Sequence, residues 1–190
     1  MSRTHALVRR PRRTLAALST MLVAVGVTYA SGANFNASSA NPSNQFSAGT
    51  LSMSNSKGNA AILTASGLYP GGPSQSGTVD IANTGSVPGV FSLTRGAITD
   101  TGSTNPISPK LNVTVKDCGD FSAGTPTCDP TDPTPYTGTL AGMTSASSLG
   151  TFAAAEKHRY QFTVALDSSA DDNYQGGTST VDFTWNAVTP

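Results

Sequence analysis

The chain has 190 residues, of which 37% are hydrophobic and 12% are charged, and this length accommodates one domain with a tail at most. Nineteen Gly and twelve Pro argue against a helical bundle and fit short strands joined by many turns. The net charge of zero averages two unlike parts, because five of the eleven basic residues precede position 14 and the first acidic residue is Asp80. Without residues 1–30 the chain has six basic and eleven acidic residues. This balance disfavours a nucleic-acid-binding protein, which needs a basic face.

Residues 1–30 are predicted to be an export signal. A basic stretch precedes an apolar run at 15–27, and small residues stand three and one positions before a cut between Ala30 and Ser31. The run is shorter than the roughly 20 residues that a membrane-spanning helix needs, which makes a retained anchor the less favoured alternative. Paired arginines at positions 12 and 13 leave twin-arginine and general export both open. We expect an extracellular protein that contacts the membrane only during export.

The only two cysteines, Cys118 and Cys128, flank a loop that contains Gly and Pro. In an oxidising compartment such a pair is most simply a disulfide, and closing this loop stabilises the fold by roughly 2 to 3 kcal/mol. A metal site is the alternative, but it would need further ligands, and no other Cys or His is near in sequence.

Residues 31–44 form a small, polar, uncharged arm in which Phe35 is the one large apolar side chain, and such a segment does not fold alone. An early strand is predicted from Phe46 to Met53. Alternating apolar and polar residues then predict half-buried strands. Their apolar positions are Val79 and Ile81; Phe91 and Leu93; Leu111, Val113 and Val115; Tyr160, Phe162, Val164 and Leu166; and Val181, Phe183 and Trp185.

Turn sequences separate these runs. Gly and Pro at 69–73 and Asn-Thr-Gly-Ser at 83–86 favour turns, and the Pro-rich segment 129–135 predicts an exposed loop. One short helix is predicted from Phe152 to Lys157 on the propensity of its alanines. Seven to nine antiparallel strands, each apolar on one face, bury those faces by packing as two sheets. The predicted fold class is an all-β antiparallel two-sheet sandwich, with residues 45–190 as one domain.

The sequence contains no recognisable catalytic motif and no set of residues that predicts a cofactor. His158 is the only histidine beyond the leader, and Glu156 lies two positions before it. A zinc hydrolase needs three protein ligands, so this pair is better interpreted as the polar start of a strand than as a metal site.

The densest acidic cluster is at 167–173, where Asp167, Asp171, Asp172 and Asn173 lie close in sequence. Oxygen ligands at such spacing could hold calcium, although the spacing does not match a twelve-residue calcium loop. The favoured interpretation is a solvated hairpin loop, because Asp, Asn and Gly favour turns without a metal.

Several blocks, taken in order, resemble the TasA/camelysin (CalY) family of secreted bacterial proteins, and they span nearly the whole chain. The blocks are the leader end at 26–30, Phe46-Ser-Ala-Gly-Thr-Leu-Ser-Met-Ser54, Ser66-Gly-Leu-Tyr-Pro-Gly71, the segment 79–88, Asn173-Tyr-Gln-Gly-Gly-Thr178 and the segment 181–187. The resemblance implies a jelly-roll-like sandwich, released from its leader by a signal peptidase, that builds fibres of the biofilm matrix or cell surface. The cysteine loop and the Pro-rich loop after it depart from the family pattern.

In the family's fibres the segment after the cleavage site adds as a strand to a neighbouring subunit, which here would be residues 31–44. An uncharged arm of this kind can pair with an open sheet edge, and we expect Phe35, Asn36 and Ala37 to form the polymer interface. The expected partner is the chain itself, and other matrix components stay open as further partners. Two alternatives stay open: a secreted metallo-endopeptidase, suggested by annotation within the family, and a monomeric surface adhesin that binds through the loops at 118–135.

Overall fold

The structure is a computed structural model that describes residue 45, residues 47–143 and residues 147–190. The predicted cleavage site at Ala30 and Ser31 and the predicted interface residues Phe35, Asn36 and Ala37 lie outside these residues. The segment Ser47–Pro190 forms one compact unit.

Eight strands make up nearly all the regular structure of the described residues. They are β1 Met53–Asn55, β2 Gln75–Asn83, β3 Gly89–Thr101, β4 Leu111–Asp120, β5 Tyr136–Thr139, β6 Ser147–Phe152, β7 Lys157–Leu166 and β8 Thr178–Val188. Two single-turn 3-10 helices, Ser108–Lys110 and Asp172–Tyr174, lie in the connections. One sheet has the order β1-β2-β7-β4-β5 and the other the order β6-β3-β8. Every strand pair is antiparallel, so the predicted all-β sandwich is confirmed.

The alternating sequence runs face inward as predicted. In β7 the buried residues are Tyr160, Phe162, Val164 and Leu166, and the residues between them are partly exposed. Aromatic rings connect the two sheets: Tyr160 lies 5.1 Å from Trp185 of β8, and Phe162 lies 5.0 Å from Phe183, between ring centroids. Burial of these large rings supplies much of the hydrophobic free energy that holds the sheets together.

Two local predictions were wrong. The segment from Phe152 to Lys157 is a tight turn between β6 and β7, in which Ala155 has a φ of 65° and Glu156 bonds back to Ala153. Four residues of good propensity cannot offset the cost of nucleating a helix between two paired strands. The early strand is shorter than predicted: only Met53–Asn55 pairs regularly, although the carbonyl of Thr50 still accepts a bond from the Ser86 N–H at 2.8 Å.

The larger sheet has five strands and the smaller sheet has three. The candidate site lies beside β8, an edge strand of the smaller sheet. Strand β1 pairs with β2, and the segment 61–70, which follows β1, belongs to no strand. Among the described residues β8 therefore pairs on one side only, with β3.

Candidate functional site

A groove of about 990 Å³ opens beside β8. One wall is the N-terminal half of β8, from Thr178 to Val181 with Phe183, and the other wall is the segment Ala61–Pro70. Its floor consists of inward-facing apolar side chains of β4 and β7, namely Leu111, Val113, Phe162, Val164 and Leu166. No residue of β3 lines the groove, so the groove lies on the side of β8 that faces away from its partner strand.

The free edge of β8 is the longest one in the described part of the sandwich. β8 has eleven residues, whereas the edge strands of the larger sheet, β1 and β5, have three and four. Because backbone groups alternate in direction along a strand, roughly half of the N–H and C=O groups of β8 point away from β3. The Ser179 hydroxyl, which also lines the groove, is buried without a hydrogen-bond partner among the described residues. A long unpaired edge beside an apolar groove can accept another strand.

The opposite wall is held close to β2. Half-buried Ile62 and Leu63 pack against the core, and Gln75 bonds to the backbone of Ser66. Gly77 makes this approach possible, because a Cβ there would lie 2.2 Å from the carbonyl oxygen of Ile62. This wall is thus anchored to the larger sheet, and the space between it and β8 stays open.

A second cluster of functional groups surrounds His158 at the far end of the sandwich. The Nδ1 atom lies 2.9 and 3.0 Å from the two carboxylate oxygens of Asp117, and Nε2 lies 2.9 Å from Oε1 of Glu156. Both ring nitrogens therefore donate to carboxylates, which requires the charged imidazolium. The ring also stacks on Phe152, with centroids 4.4 Å apart. This arrangement is an ion cluster at the rim of the core.

The cluster changes the proton affinity of the imidazole. Hydrogen bonding to Asp117, opposed by partial burial and supported by Glu156, raises the pKa of His158 to about 9. Burial raises the pKa of the neighbouring Tyr160, whose hydroxyl has no partner among the described residues. Since both ring nitrogens are engaged, His158 presents no free lone pair to a metal as it stands. The described residues contain no group of three His, Cys, Asp or Glu arranged to hold a metal ion.

The disulfide predicted between Cys118 and Cys128 is present, with Cys118 buried. The loop that it closes is held on the outer face of the larger sheet. The N–H of Phe121 bonds to the carbonyl of Lys157, and the Lys157 ammonium lies 3.8 Å above the Phe121 ring. On the same face Asp80 receives two bonds from Arg159, at 2.7 and 3.0 Å, which lower the pKa of Asp80.

The acidic segment 167–173 is mostly exposed, as predicted, with Ala170 buried. It is not a hairpin, because it connects β7 of one sheet to β8 of the other. Its carboxylates bond to nearby groups. Asp167 accepts bonds from Ser169, which lower its pKa to about 2, and Asp171 accepts one from the N–H of Asn173 at 3.0 Å. The segment is thus organised by turn hydrogen bonds.

The sequence brought together two of the three residues in the histidine cluster and missed the third. Asp117 is 41 residues from His158, but a signal for it existed: the alternation of Val113 and Val115 places Asp117 next on the inward face of β4. The free edge of β8 had no comparable signal, because a strand's position in a sheet depends on pairing between distant segments.

Pro133 and the other residues of the segment 129–135 form a loop that is largely exposed, as predicted.

Within the described ranges, no helix has the length and apolar character to span a membrane. Comparison with known proteins found no protein-family model that matches this chain and no matching curated protein.

Proposed function

We propose that this chain is an exported structural protein that polymerises into extracellular fibres of a biofilm matrix or cell surface. In each contact, the N-terminal arm of one copy occupies the groove beside β8 of another. The observation that carries the proposal is the eleven-residue free edge of β8 beside an apolar groove. The resemblance of the sequence blocks to the TasA/camelysin family supports the same conclusion.

The arm has the properties that this groove requires. Eleven residues, Ser31–Asn41, precede the first proline of the arm, and β8 has the same length. Along this segment Ala33, Phe35 and Ala37 alternate with polar residues, so that in a strand these three side chains share one face. That face fits an apolar floor, with Phe35 as the one large side chain. The arm carries no side-chain charge, so its insertion between the sheets desolvates no ionised side chain.

Donation from copy to copy would produce an open filament. The donating segment and the accepting groove are different surfaces of one chain, so each contact is heterologous and leaves one groove and one arm free. The backbone bonds of an added strand contribute about 0.5 to 1.5 kcal/mol each, and burial of Phe35 contributes about 1.5 to 3 kcal/mol.

Deletion of residues 31–44 from the mature chain is expected to abolish filaments, because it removes the donated strand and leaves the described domain intact. Negative-stain electron microscopy and sedimentation velocity measure assembly, and thermal melting followed by circular dichroism checks the fold. A chain of equal length with Gly and Ser at 31–44 is the matched control, and it should also fail to assemble. Filaments formed by the deleted chain would contradict the proposal.

The substitution Val181→Lys is expected to block the groove while the fold survives. Val181 lines the groove and is half-buried, so an ammonium there would be desolvated by an inserted strand. Thr184→Lys, on the exposed face of the same strand and outside the groove lining, is the matched control and should still form filaments.

The Val181→Lys chain keeps its arm, and the chain deleted at 31–44 keeps its groove. An equimolar mixture should therefore contain dimers and no longer species, measured by sedimentation velocity. Monomers in that mixture, or normal filaments from Val181→Lys itself, would contradict donation into this groove.

A further inference from the structure

The two ends of β8 lie at opposite ends of the sandwich. Val188 pairs with Val90 at the start of β3, and Thr178 pairs with Thr101 at its end. The groove is at the Thr178 end, because it is lined by Thr178–Val181 and by the loop residues just before them. These positions determine the direction in which an arm can enter.

The described chain enters the domain at the Val188 end. The carbonyl of Thr50 accepts bonds from the N–H groups of Ser86 and Val87, at 2.8 and 3.4 Å. Leu51 packs against Gly89: a Cβ added at Gly89 would lie 2.6 Å from the Cδ1 atom of Leu51. Residues 49–51 are thus held beside the start of β3, which is also where β8 finishes.

This geometry assigns opposite directions to the two possible sources of the arm. If a chain's own arm lay along β8, residue 46 would be at the Val188 end and Ser31 at the Thr178 end. The arm would then run from the Thr178 end to the Val188 end, in the same direction as β8. The eleven residues of β8 span about 36 Å, and the sixteen residues from Ser31 to residue 46 reach at most about 55 Å. Length therefore permits this parallel closure. An arm from a second copy placed at the Thr178 end would run in the reverse direction, antiparallel to β8.

We infer that the donated arm pairs antiparallel with β8 and comes from a copy seated at the Thr178 end, an inference that rests on the proposed function. Every pair of described strands is antiparallel, and antiparallel pairing is slightly more stable per residue than parallel pairing. Self-closure would produce the only parallel pair among the described strands, and it would require a reversal directly before residues that are held at Ser86 and Val87.

The direction has a structural consequence for the fibre. The Thr178 end of each copy faces the Val188 end of the next, so all copies point the same way and the filament is polar. One filament end presents an unfilled groove and the other presents a free arm. Self-closure in the parallel direction leaves the chain monomeric, so antiparallel preference favours assembly over closure.

Paired cysteine substitutions test the direction with the native disulfide left intact. Thr180 and Asn186 are exposed on the outer face of β8, and Asn34 and Ala40 share the outward face of an inserted arm by alternation. Antiparallel pairing brings residue 40 near Thr180 and residue 34 near Asn186. Parallel pairing brings residue 34 near Thr180. If the antiparallel register is shifted by two residues, residue 38 lies near Thr180, and the variant Ser38→Cys with Thr180→Cys would form the cross-link.

Each double variant is assembled, oxidised mildly and run on a non-reducing denaturing gel, because a disulfide requires Cα atoms within about 7 Å. We expect a ladder of covalent multimers from Ala40→Cys with Thr180→Cys and from Asn34→Cys with Asn186→Cys. Asn34→Cys with Thr180→Cys should give no cross-link, since antiparallel pairing separates these positions by about 20 Å.

The other outcomes overturn the inference in distinguishable ways. A cross-linked monomer from Asn34→Cys with Thr180→Cys would establish parallel self-closure. A ladder from that same variant would establish parallel donation, which contradicts the direction and leaves the proposed function standing. Filaments in which none of the variants cross-links would overturn both the direction and the donation of the arm to β8.

Discussion

Raising the pH from 6 to 9 is expected to lower the free energy of unfolding of the protein by about 2 to 3 kcal/mol, through deprotonation of His158. The folded pKa of His158 is about 9, against an ordinary value of 6.5. A raised pKa means that the folded state holds the proton more tightly than the unfolded state. The stabilisation is therefore complete below about pH 6.5 and is lost as the pH rises to about 9. The shift corresponds to about 3.4 kcal/mol, discounted here because the cluster is partly exposed.

The groups around His158 determine this behaviour. Asp117 of β4 and Glu156 of the β6–β7 turn face its two nitrogens, Phe152 of β6 covers its ring, and Tyr160 follows on β7. Asp120 at the end of β4 also feels its charge. Loss of the proton removes one charged donor and leaves two carboxylates close together at the rim of the core. Buried carboxylates without a partner are strongly destabilising.

His158→Gln is the matched variant. It keeps a neutral side chain that can donate to one carboxylate, so its stability at pH 6 should fall by about 2 to 3 kcal/mol and should then change little up to pH 9. Urea unfolding at pH 6.0, 7.5 and 9.0 measures both chains. His158 is the only histidine in residues 31–190, so no other imidazole competes in this window. Parallel pH profiles for the two chains would contradict the role of His158.

The inward faces of the strands could be predicted from the sequence because burial alternates along a strand in the same way that hydrophobicity does. Val113 and Val115 are buried, as are Phe91 and Leu93. Such a pattern is local, because the hydrophobicity of each residue indicates whether that residue faces the core. The disulfide between Cys118 and Cys128 could be predicted for a similar reason, since the two cysteines are ten positions apart.

Features that depend on long-range pairing could not be predicted. Hydrophobic alternation in β8 gives its inward face, with Trp185 buried, but it does not say whether β8 has one neighbour or two. The turn at Ala153 to Glu156 was missed for the related reason that the paired strands on either side override the helix propensity of alanine. The candidate acceptor edge is thus a property of sheet order, which the sequence pattern did not predict.

Asn83→Ala is expected to destabilise the domain by about 3 to 4 kcal/mol, the largest effect that we expect from a single polar side chain. Asn83 is completely buried at the end of β2. Its side-chain amide donates to the carbonyls of Val87, Ala153 and Phe152, at 2.8, 3.0 and 3.3 Å. Its side-chain oxygen accepts a bond from the N–H of Gly85 at 3.0 Å. Truncation removes this partner from all four groups. The Ala153 carbonyl keeps its bond from the Glu156 N–H, whereas each buried group that is left without a partner costs about 1 to 3 kcal/mol unless water reaches it.

The amide joins two turns that lie far apart in sequence. Val87 belongs to the turn that leads into β3, whereas Phe152 and Ala153 begin the turn that leads into β7. One side chain therefore links a connection between the two sheets to the end of β6 in the smaller sheet. Exposed polar side chains offer no comparable link: Asn112 bonds only to Asp167 at the surface, and Asn112→Ala should cost less than about 1 kcal/mol. It is the matched control for urea unfolding.

Asn83→Asp separates hydrogen bonding from packing, because it preserves the shape and replaces the donor by an oxygen. At neutral pH its carboxylate would face three carbonyl oxygens, so this variant should be at least as unstable as Asn83→Ala. At low pH the carboxyl group gains a proton and can donate one bond. The stability of Asn83→Asp relative to Asn83→Ala should therefore recover as the pH falls from 7 to 4. Equal stability of the two variants across that range, or a loss below 1 kcal/mol in either, would show that the amide does not hold the two turns together.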